Sequence, residues 1–157
     1  MPLLRILVDG YSLLHAWPEL AEGHARHSAA AREALIQELT RYHDATGTAL
    51  TIFFDGAGAP KGTPQTHSSR QVEVLYSRAG QTADQMIERA AYRFSKLGEV
   101  MVVTNDFAER DTVNSFGGLP QSCENFLRMM GAANRDMALD LKEHNRRRSE
   151  EHTSELQ

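Results

Sequence analysis

The stretch LLRILVDG (residues 3–10) decides the fold class of this chain, because its apolar residues run nearly without interruption up to an acid and a glycine. A half-exposed strand alternates apolar and polar residues, whereas a strand covered on both faces is almost continuously apolar. Three later runs have the same character, and two long stretches with helical periodicity lie between the runs. The runs are ALTIFF (49–54), VEVLY (72–76) and VMVVT (100–104), and the helical stretches are residues 29–47 and 82–98. Strands that alternate with helices predict a parallel sheet between two layers of helices.

The later part of the chain completes this architecture. A short fifth strand is predicted around residues 118–121, where Pro120 indicates an edge position, and Ser122 is expected to cap a last helix. We therefore predict an α/β fold, a three-layer α/β/α sandwich with a central, mostly parallel five-stranded sheet. The polar segment GAGAPKGTPQTHSSRQ (56–71) is predicted to be a long loop, and loops of this length are usually functional or mobile.

The composition is that of an ordinary globular protein, with a net charge of −4 and a single cysteine, Cys123. A net negative charge argues against a protein that binds nucleic acid through bulk positive charge, but it leaves open an acidic site that first collects divalent cations. One cysteine excludes an intrachain disulfide and suits a buried thiol in a reducing compartment. Since no signal peptide and no membrane-spanning apolar run is present, we expect a soluble, cytoplasmic protein.

The last ten residues, RSEEHTSELQ (148–157), look like the translation of one frame of a sequencing-library adapter. We therefore expect one domain over residues 1–147, followed by a non-native tail. A genuine polar C-terminal tail is the alternative. No function is inferred from this segment.

Four acids lie where the predicted sheet would present its carboxyl edge, which is where open parallel sheets bind ligands. Asp9, Asp55 and Asp106 follow the first, second and fourth strands, and Asp84 lies in the first turn of the helix after the third. These four side chains are therefore expected to converge on one rim.

Each acid alone has another explanation. Asp84 could complement a helix dipole, Asp106 could cap the helix that begins with FAERD (107–111), and Asp55 could belong to a turn. Four carboxylates together raise one another's pKa unless a cation intervenes, and a divalent metal is the simplest such cation. Oxygen-only ligands favour Mg²⁺ or Mn²⁺ over zinc.

Several polar and basic residues near this rim could position a phosphate. Thr104 and Asn105 directly precede Asp106 and could orient a phosphate or a water molecule. Lys61 and Arg70 lie in the polar segment and could approach a phosphate, although a merely flexible surface loop explains them equally well. Neither a P-loop nor a Gly-x-Gly-x-x-Gly motif is present, which argues against Walker-type nucleotide hydrolysis and a dinucleotide cofactor.

An ordered set of motifs resembles one known family, the YacP-like NYN-domain proteins of the PIN-like nuclease superfamily. The motifs are VDGYSLLHAWPEL (8–20), TIFFDG (51–56), VEVLYSRAGQTADQMIE (72–88), VVTND (102–106) and GGLPQSCENFL (117–127). The resemblance covers residues 3–130 and implies an α/β/α sandwich with an acidic site at the carboxyl edge of the sheet. It further implies a metal-dependent endoribonuclease, associated with the ribosome and cutting messenger RNA during translation. By position, Asp9, Asp55, Asp84 and Asp106 match the acidic residues of the family.

The chain departs from the family pattern at two positions. Ser12 stands where the family usually has Asn, and Gln81 stands where an acid is common. A hydroxyl donates and accepts like an amide but is shorter, so we expect weaker positioning of the site rather than loss of the metal.

The leading hypothesis is an endoribonuclease that depends on Mg²⁺ or Mn²⁺ and hydrolyses RNA phosphodiester bonds. It assigns Asp9, Asp84 and Asp106 as metal ligands and Asp55 as a ligand or an orienting group. Ser12 and Thr104 act as polar supports. The alternative is a catalytically weakened RNA- or ribosome-binding module, against which the four retained acids count. A metal-dependent phosphatase is a third reading, disfavoured because the haloacid-dehalogenase type needs an acid at position 11, which is Tyr11. The sequence does not predict the oligomeric state.

Overall fold

The computed structural model describes residues 3–25, 28–56, 66–69 and 72–155. The strands are β1 (Leu3–Asp9), β2 (Leu50–Phe54), β3 (Thr66–Ser69), β4 (Val72–Tyr76), β5 (Glu99–Val103) and β6 (Leu119–Gln121). The helices are α1 (Gly10–His15), α2 (Ala29–Thr46), α3 (Ala83–Ser95), α4 (Phe107–Ser115) and α5 (Cys123–Glu155). The strands form one sheet in the order β3-β4-β2-β1-β5-β6.

The predicted α/β fold is confirmed, with five parallel strands at the positions that the apolar runs indicate. The pairs β1–β2, β1–β5, β2–β4 and β5–β6 are all parallel. Pro120 lies in β6, an edge strand that has no neighbouring strand on one side within the described part of the chain. A residue without a backbone N–H is tolerated there, because that side forms no hydrogen bonds between strands. Continuous burial of β2, whose five residues are all buried, explains why its sequence shows no alternation.

One strand was not predicted. Thr66–Ser69 forms β3, which pairs antiparallel with β4 at the other edge of the sheet, inside the segment that the sequence predicts to be a loop. The sequence THSS has no apolar pattern that would indicate a strand, and the structure shows the strand through its backbone pairing with β4. Residues 57–65 and 70–71 of that segment lie outside the described residues.

The core lies on both faces of the sheet. Residues of β1 alternate between the two sides: Ile6 and Val8 join the cluster that packs under α1, α2 and α5, and Leu7 joins the cluster under α3 and α4. Cys123, at the start of α5, is a buried free thiol. Helix α5 continues through residue 147 without a break, and the domain boundary expected there stays a prediction. Within the described ranges, no helix is both long enough and apolar enough to cross a membrane.

The strand order places a topological switch point between β1 and β5. The chain builds outward from β1 through β2 and β4 on one side, and then returns to the other side of β1 with β5. Ligands of open parallel sheets bind outside the carboxyl ends of the strands at such a point, because the connections diverge there and leave a crevice. Asp9, the last residue of β1, and Thr104, which follows β5, lie at this edge.

The turn after β1 depends on a glycine for steric reasons. A Cβ atom on Gly10 would lie 2.3 Å from Cε1 of the fully buried Phe54. The Phe54 ring is held between Tyr11, at a centroid distance of 5.0 Å, and Tyr76, at 5.5 Å, so it has little room to withdraw. The glycine that follows Asp9 therefore allows α1 to pack directly on β2.

We predict that Gly10→Ala lowers the free energy of unfolding by about 1–3 kcal/mol, the range expected for overpacking a core. Urea unfolding followed by circular dichroism measures this change. The matched control is Gly131→Ala within α5, where the nearest atom to the added Cβ is the flexible Arg135 guanidinium at 3.3 Å. That variant should be unchanged or more stable by up to about 1 kcal/mol, because alanine favours helix. Equal stability of Gly10→Ala and wild type would contradict the steric argument.

Candidate functional site

Asp9 is the fixed point of the site. It ends β1 and is also the N-cap of α1, where its Oδ1 accepts the backbone N–H of Ser12 at 3.4 Å. Its Oδ2 accepts the Ser12 hydroxyl at 3.1 Å and the Thr104 hydroxyl at 3.4 Å. Since Asp9 is only 9% exposed and Thr104 is fully buried, this carboxylate is held from two elements at once.

Three carboxylates meet at the switch point: Asp9, Asp84 and Glu109. Each offers an oxygen, and these oxygens all lie within 4.8 Å of one another. Asp84 comes from the first turn of α3, whose N-terminus is fixed by a capping box between Thr82 and Gln85. Glu109 comes from the first turn of α4 and is 1% exposed. We call Asp9, Asp84 and Glu109 the acidic group.

Glu109 is not among the residues that the sequence predicts for the site. The signal that could have found it is its position three residues after a helix cap. Asp106 is the N-cap of α4, and its Oδ1 accepts the backbone N–H groups of Ala108 at 2.9 Å and Glu109 at 3.3 Å. A helix that starts at the carboxyl edge can direct its third residue into the crevice, which is what α4 does with Glu109.

Burial dominates the electrostatics of Asp9. Loss of water around it raises the pKa of its carboxyl group, and the nearby charge of Asp84 raises it further. The backbone and side-chain hydrogen bonds from Ser12, and that from Thr104, lower the pKa because they stabilise the ionised form. Ser12 therefore contributes to keeping Asp9 charged.

Glu109 is more strongly perturbed. Burial is the largest cause, and Asp84, Asp9 and Asp106 add to it, so the pKa of Glu109 rises from 4.5 to about 10. Neither of its carboxylate oxygens has a hydrogen-bond partner among the described residues. Two ionised carboxylates cannot hydrogen-bond, but a protonated Glu109 can donate to Asp84, which also raises its pKa. In the absence of a cation, Glu109 is therefore protonated at neutral pH.

The predicted ligands Asp55 and Asp106 do not belong to the acidic group. The exposed Asp106 caps α4, and it lies close enough to raise the pKa of Glu109. Asp55 follows β2, and its Oδ1 accepts the Ser77 hydroxyl at 3.3 Å. Their assignment as catalytic residues stays a prediction.

The predicted positioning residues divide into three kinds. Ser12 and Thr104 contact Asp9 directly, and the Thr104 hydroxyl also accepts the Asp106 backbone N–H at 3.1 Å. The Asn105 side chain instead ties β5 to α5, donating to Glu124 at 3.0 Å and accepting the Cys123 backbone N–H at 2.9 Å. Lys61 and Arg70 lie outside the described residues.

The chemistry of the acidic group fits a divalent cation. It supplies oxygen ligands only, which suits a hard cation such as Mg²⁺ or Mn²⁺. The burial of Glu109 beside Asp84 and Asp9 is the strongest sign, because buried carboxyl groups are rarely placed together unless a proton or a cation lies between them. A cation would offset the repulsion and release the Glu109 proton.

We predict that the metal-free protein loses stability as pH rises. The folded state holds a proton on Glu109 up to about pH 10, whereas the unfolded state releases it near 4.5, so the folded state binds more protons between these values. The free energy of unfolding should therefore fall by up to about 4 kcal/mol between pH 5 and pH 8, since one proton is worth about 1.4 kcal/mol per pH unit. Glu109→Gln removes this ionisation and should flatten the dependence.

Urea unfolding in EDTA at several pH values measures this effect. Asp111→Asn, which removes an exposed acid from the same helix, is the matched control and should keep the wild-type slope. An equal slope for wild type and Glu109→Gln would refute the elevated pKa.

Comparisons with known proteins agree with this fold. The family model described as "YacP-like NYN domain" matches residues 6–157. The "Uncharacterized protein YacP" of Bacillus subtilis (strain 168) is 33% identical over 124 residues, covering 78% of this chain and 72% of that protein. The crystal structure of Rae1 (YacP) from Bacillus subtilis superposes with a TM-score of 0.73 at 28% identity, covering 91% of this chain and 81% of that one. Its W164L mutant gives a TM-score of 0.74 at 28% identity, covering 88% and 81%. These matches support a nuclease-like, RNA-related role, and the chain belongs to the YacP-like NYN domain family.

Proposed function

We propose that the protein is an endoribonuclease that depends on a divalent metal, Mg²⁺ or Mn²⁺, and hydrolyses RNA phosphodiester bonds. The observation that carries this proposal is the meeting of Asp9, Asp84 and Glu109 within 4.8 Å at the switch point of the sheet. Family membership supports the nuclease class. The narrower proposal, cleavage of messenger RNA on the ribosome, rests on the family resemblance alone.

The residues of the acidic group would hold the cation, with Asp106 beside them as a further candidate ligand. The chemistry that such a cation supplies is activation of a water molecule and stabilisation of the leaving oxygen of the phosphodiester. Ser12 and Thr104 orient the Asp9 carboxylate through their hydroxyls and keep it ionised.

We predict that Asp9→Asn and Asp84→Asn each reduce RNA cleavage by more than the roughly 10- to 100-fold that is typical of losing an outer-shell metal partner. Asp106→Asn separates the helix-capping role of Asp106 from its candidate role as a metal ligand, because asparagine caps a helix about as well as aspartate. A loss of activity in that variant, with α4 intact by circular dichroism, would assign Asp106 as a ligand.

The assay uses labelled RNA with Mn²⁺, Mg²⁺ or EDTA, beside isothermal titration of Mn²⁺. Asp111→Asn on α4 is the control and should cleave RNA at the wild-type rate. Wild-type turnover in both Asp9→Asn and Asp84→Asn, or full activity in EDTA, would refute a metal-dependent mechanism.

Ser12 tests the alternative of a weakened RNA-binding module. Ser12→Ala removes the 3.1 Å hydrogen bond to Asp9 and should weaken Mn²⁺ affinity by roughly 10-fold, as for other groups that orient a ligand. Ser12→Asn restores the residue that is usual in the family, and we expect it to cleave RNA faster than wild type. Undetectable Mn²⁺ binding and cleavage in both wild type and Ser12→Asn would instead favour the binding module.

A further inference from the structure

An exposed aromatic ring lies at the start of the helix that carries Glu109. Phe107, the first residue of α4, is 76% exposed and directly follows the cap residue Asp106. The guanidinium carbon of Arg110 lies 4.5 Å from the centroid of the Phe107 ring. Arginine covers part of this ring, and its high exposure leaves the remainder open to solvent. An isolated exposed phenylalanine needs no explanation, but this ring is paired with a cation on the first turn of the helix that supplies Glu109.

Arg110 carries a positive charge that its surroundings leave uncommitted. Among the described residues it forms no ion pair, and its Nε is buried without a hydrogen-bond partner. Burial raises the pKa of the Cys123 thiol, and the positive charge of Arg110 partly opposes this effect. The charge of Arg110 therefore acts on the first residue of α5. A cation placed here can attract a phosphate towards a rim that is otherwise acidic.

The geometry of α4 joins this pair to the acidic group. Phe107 and Arg110 are three residues apart and share one face of the helix, whereas Glu109 lies about 200° around the helix from Phe107. The first turn of α4 therefore directs Glu109 into the crevice and presents Phe107 and Arg110 on another face of the same turn. All three lie within one turn, which rises about 5.4 Å.

We propose that Phe107 and Arg110 form a stacking platform for an unpaired base of single-stranded RNA, placing the adjoining phosphate at the acidic group. The identity of the substrate class rests on the function proposed above. Aromatic rings and arginine planes are the surfaces on which proteins stack bases that have been splayed out of a helix. Bases within a duplex are already stacked on one another, so the platform favours single-stranded over double-stranded RNA.

Binding is measured without cleavage, in EDTA and on the Asp9→Asn background, by fluorescence anisotropy of a labelled single strand and of the matching blunt duplex. Phe107→Ala should weaken binding of the single strand by about 5- to 150-fold, the range of one stacked base. Phe107→Tyr keeps the ring and should remain within threefold of its parent. A 2-aminopurine placed in the strand reports stacking directly, and its fluorescence change on binding should disappear with Phe107→Ala.

The chain offers a matched control. Tyr92 on α3 is also an exposed aromatic, 52% exposed, with the Lys96 ammonium 4.4 Å from its ring centroid. It lies eight residues beyond Asp84 along α3, about 12 Å from that end of the helix. Tyr92→Ala should therefore change RNA binding by less than threefold. Thermal unfolding of each variant checks that the fold is retained.

The platform is overturned if Phe107→Ala weakens binding of the single strand by less than threefold. It is also overturned if Phe107→Ala weakens binding of the duplex as much as binding of the single strand, or if Tyr92→Ala weakens binding of the single strand as much as Phe107→Ala does. Unchanged RNA binding with a shift in sedimentation would show instead that the ring contacts a second copy of the chain, and also overturns it. Failure of the proposed nuclease function is distinguishable, because it would leave cleavage unaffected by Asp9→Asn while the effect of Phe107→Ala on binding persists.

Discussion

The burial of carboxylates beside one another is the constraint on which the site depends. Asp9, Asp84 and Glu109 come from three elements, and each element places its acid by a separate local device. Asp9 is fixed because it caps α1, Asp84 because a capping box starts α3, and Glu109 because Asp106 starts α4. None of these devices supplies a counter-ion, and burial together with the neighbouring acids keeps the Glu109 carboxyl protonated. The fold therefore holds together a cluster that only a cation or a proton can stabilise.

Much of the fold could be predicted from the sequence because its parallel strands are buried on both faces. The four long apolar runs correspond to β1, β2, β4 and β5, and the glycine at position 47 ends α2 in the left-handed conformation expected of a C-cap. Strand β3 could not be predicted, since backbone pairing at an edge leaves no periodicity in THSS. Helix α1, only six residues long, is likewise too short for a periodic signal.

Part of the candidate site could be predicted because the sequence shows where the buried strands end. A strand end followed by an acid is visible in the sequence, and Asp9 was located in this way. The direction in which a side chain points is set by helix phase and by competing hydrogen bonds, which the sequence does not display. Glu109 reads as an ordinary surface acid within FAERD, yet it is 1% exposed. Asn105 reads as a phosphate-binding amide, yet it bridges Glu124 and the start of α5.

The two hydroxyls around Asp9 limit how that carboxylate can bind a ligand. An oxygen atom of a carboxylate has two lone pairs, and both on Oδ2 are directed at the hydroxyls of Ser12 and Thr104. The Thr104 hydroxyl accepts the Asp106 N–H, so its single hydrogen is committed to Asp9. Only Oδ1 retains a lone pair beyond its 3.4 Å bond from the Ser12 N–H. A cation bound by the acidic group would therefore meet Asp9 through Oδ1, and Asp84, Glu109, water and substrate would supply the remaining coordination positions.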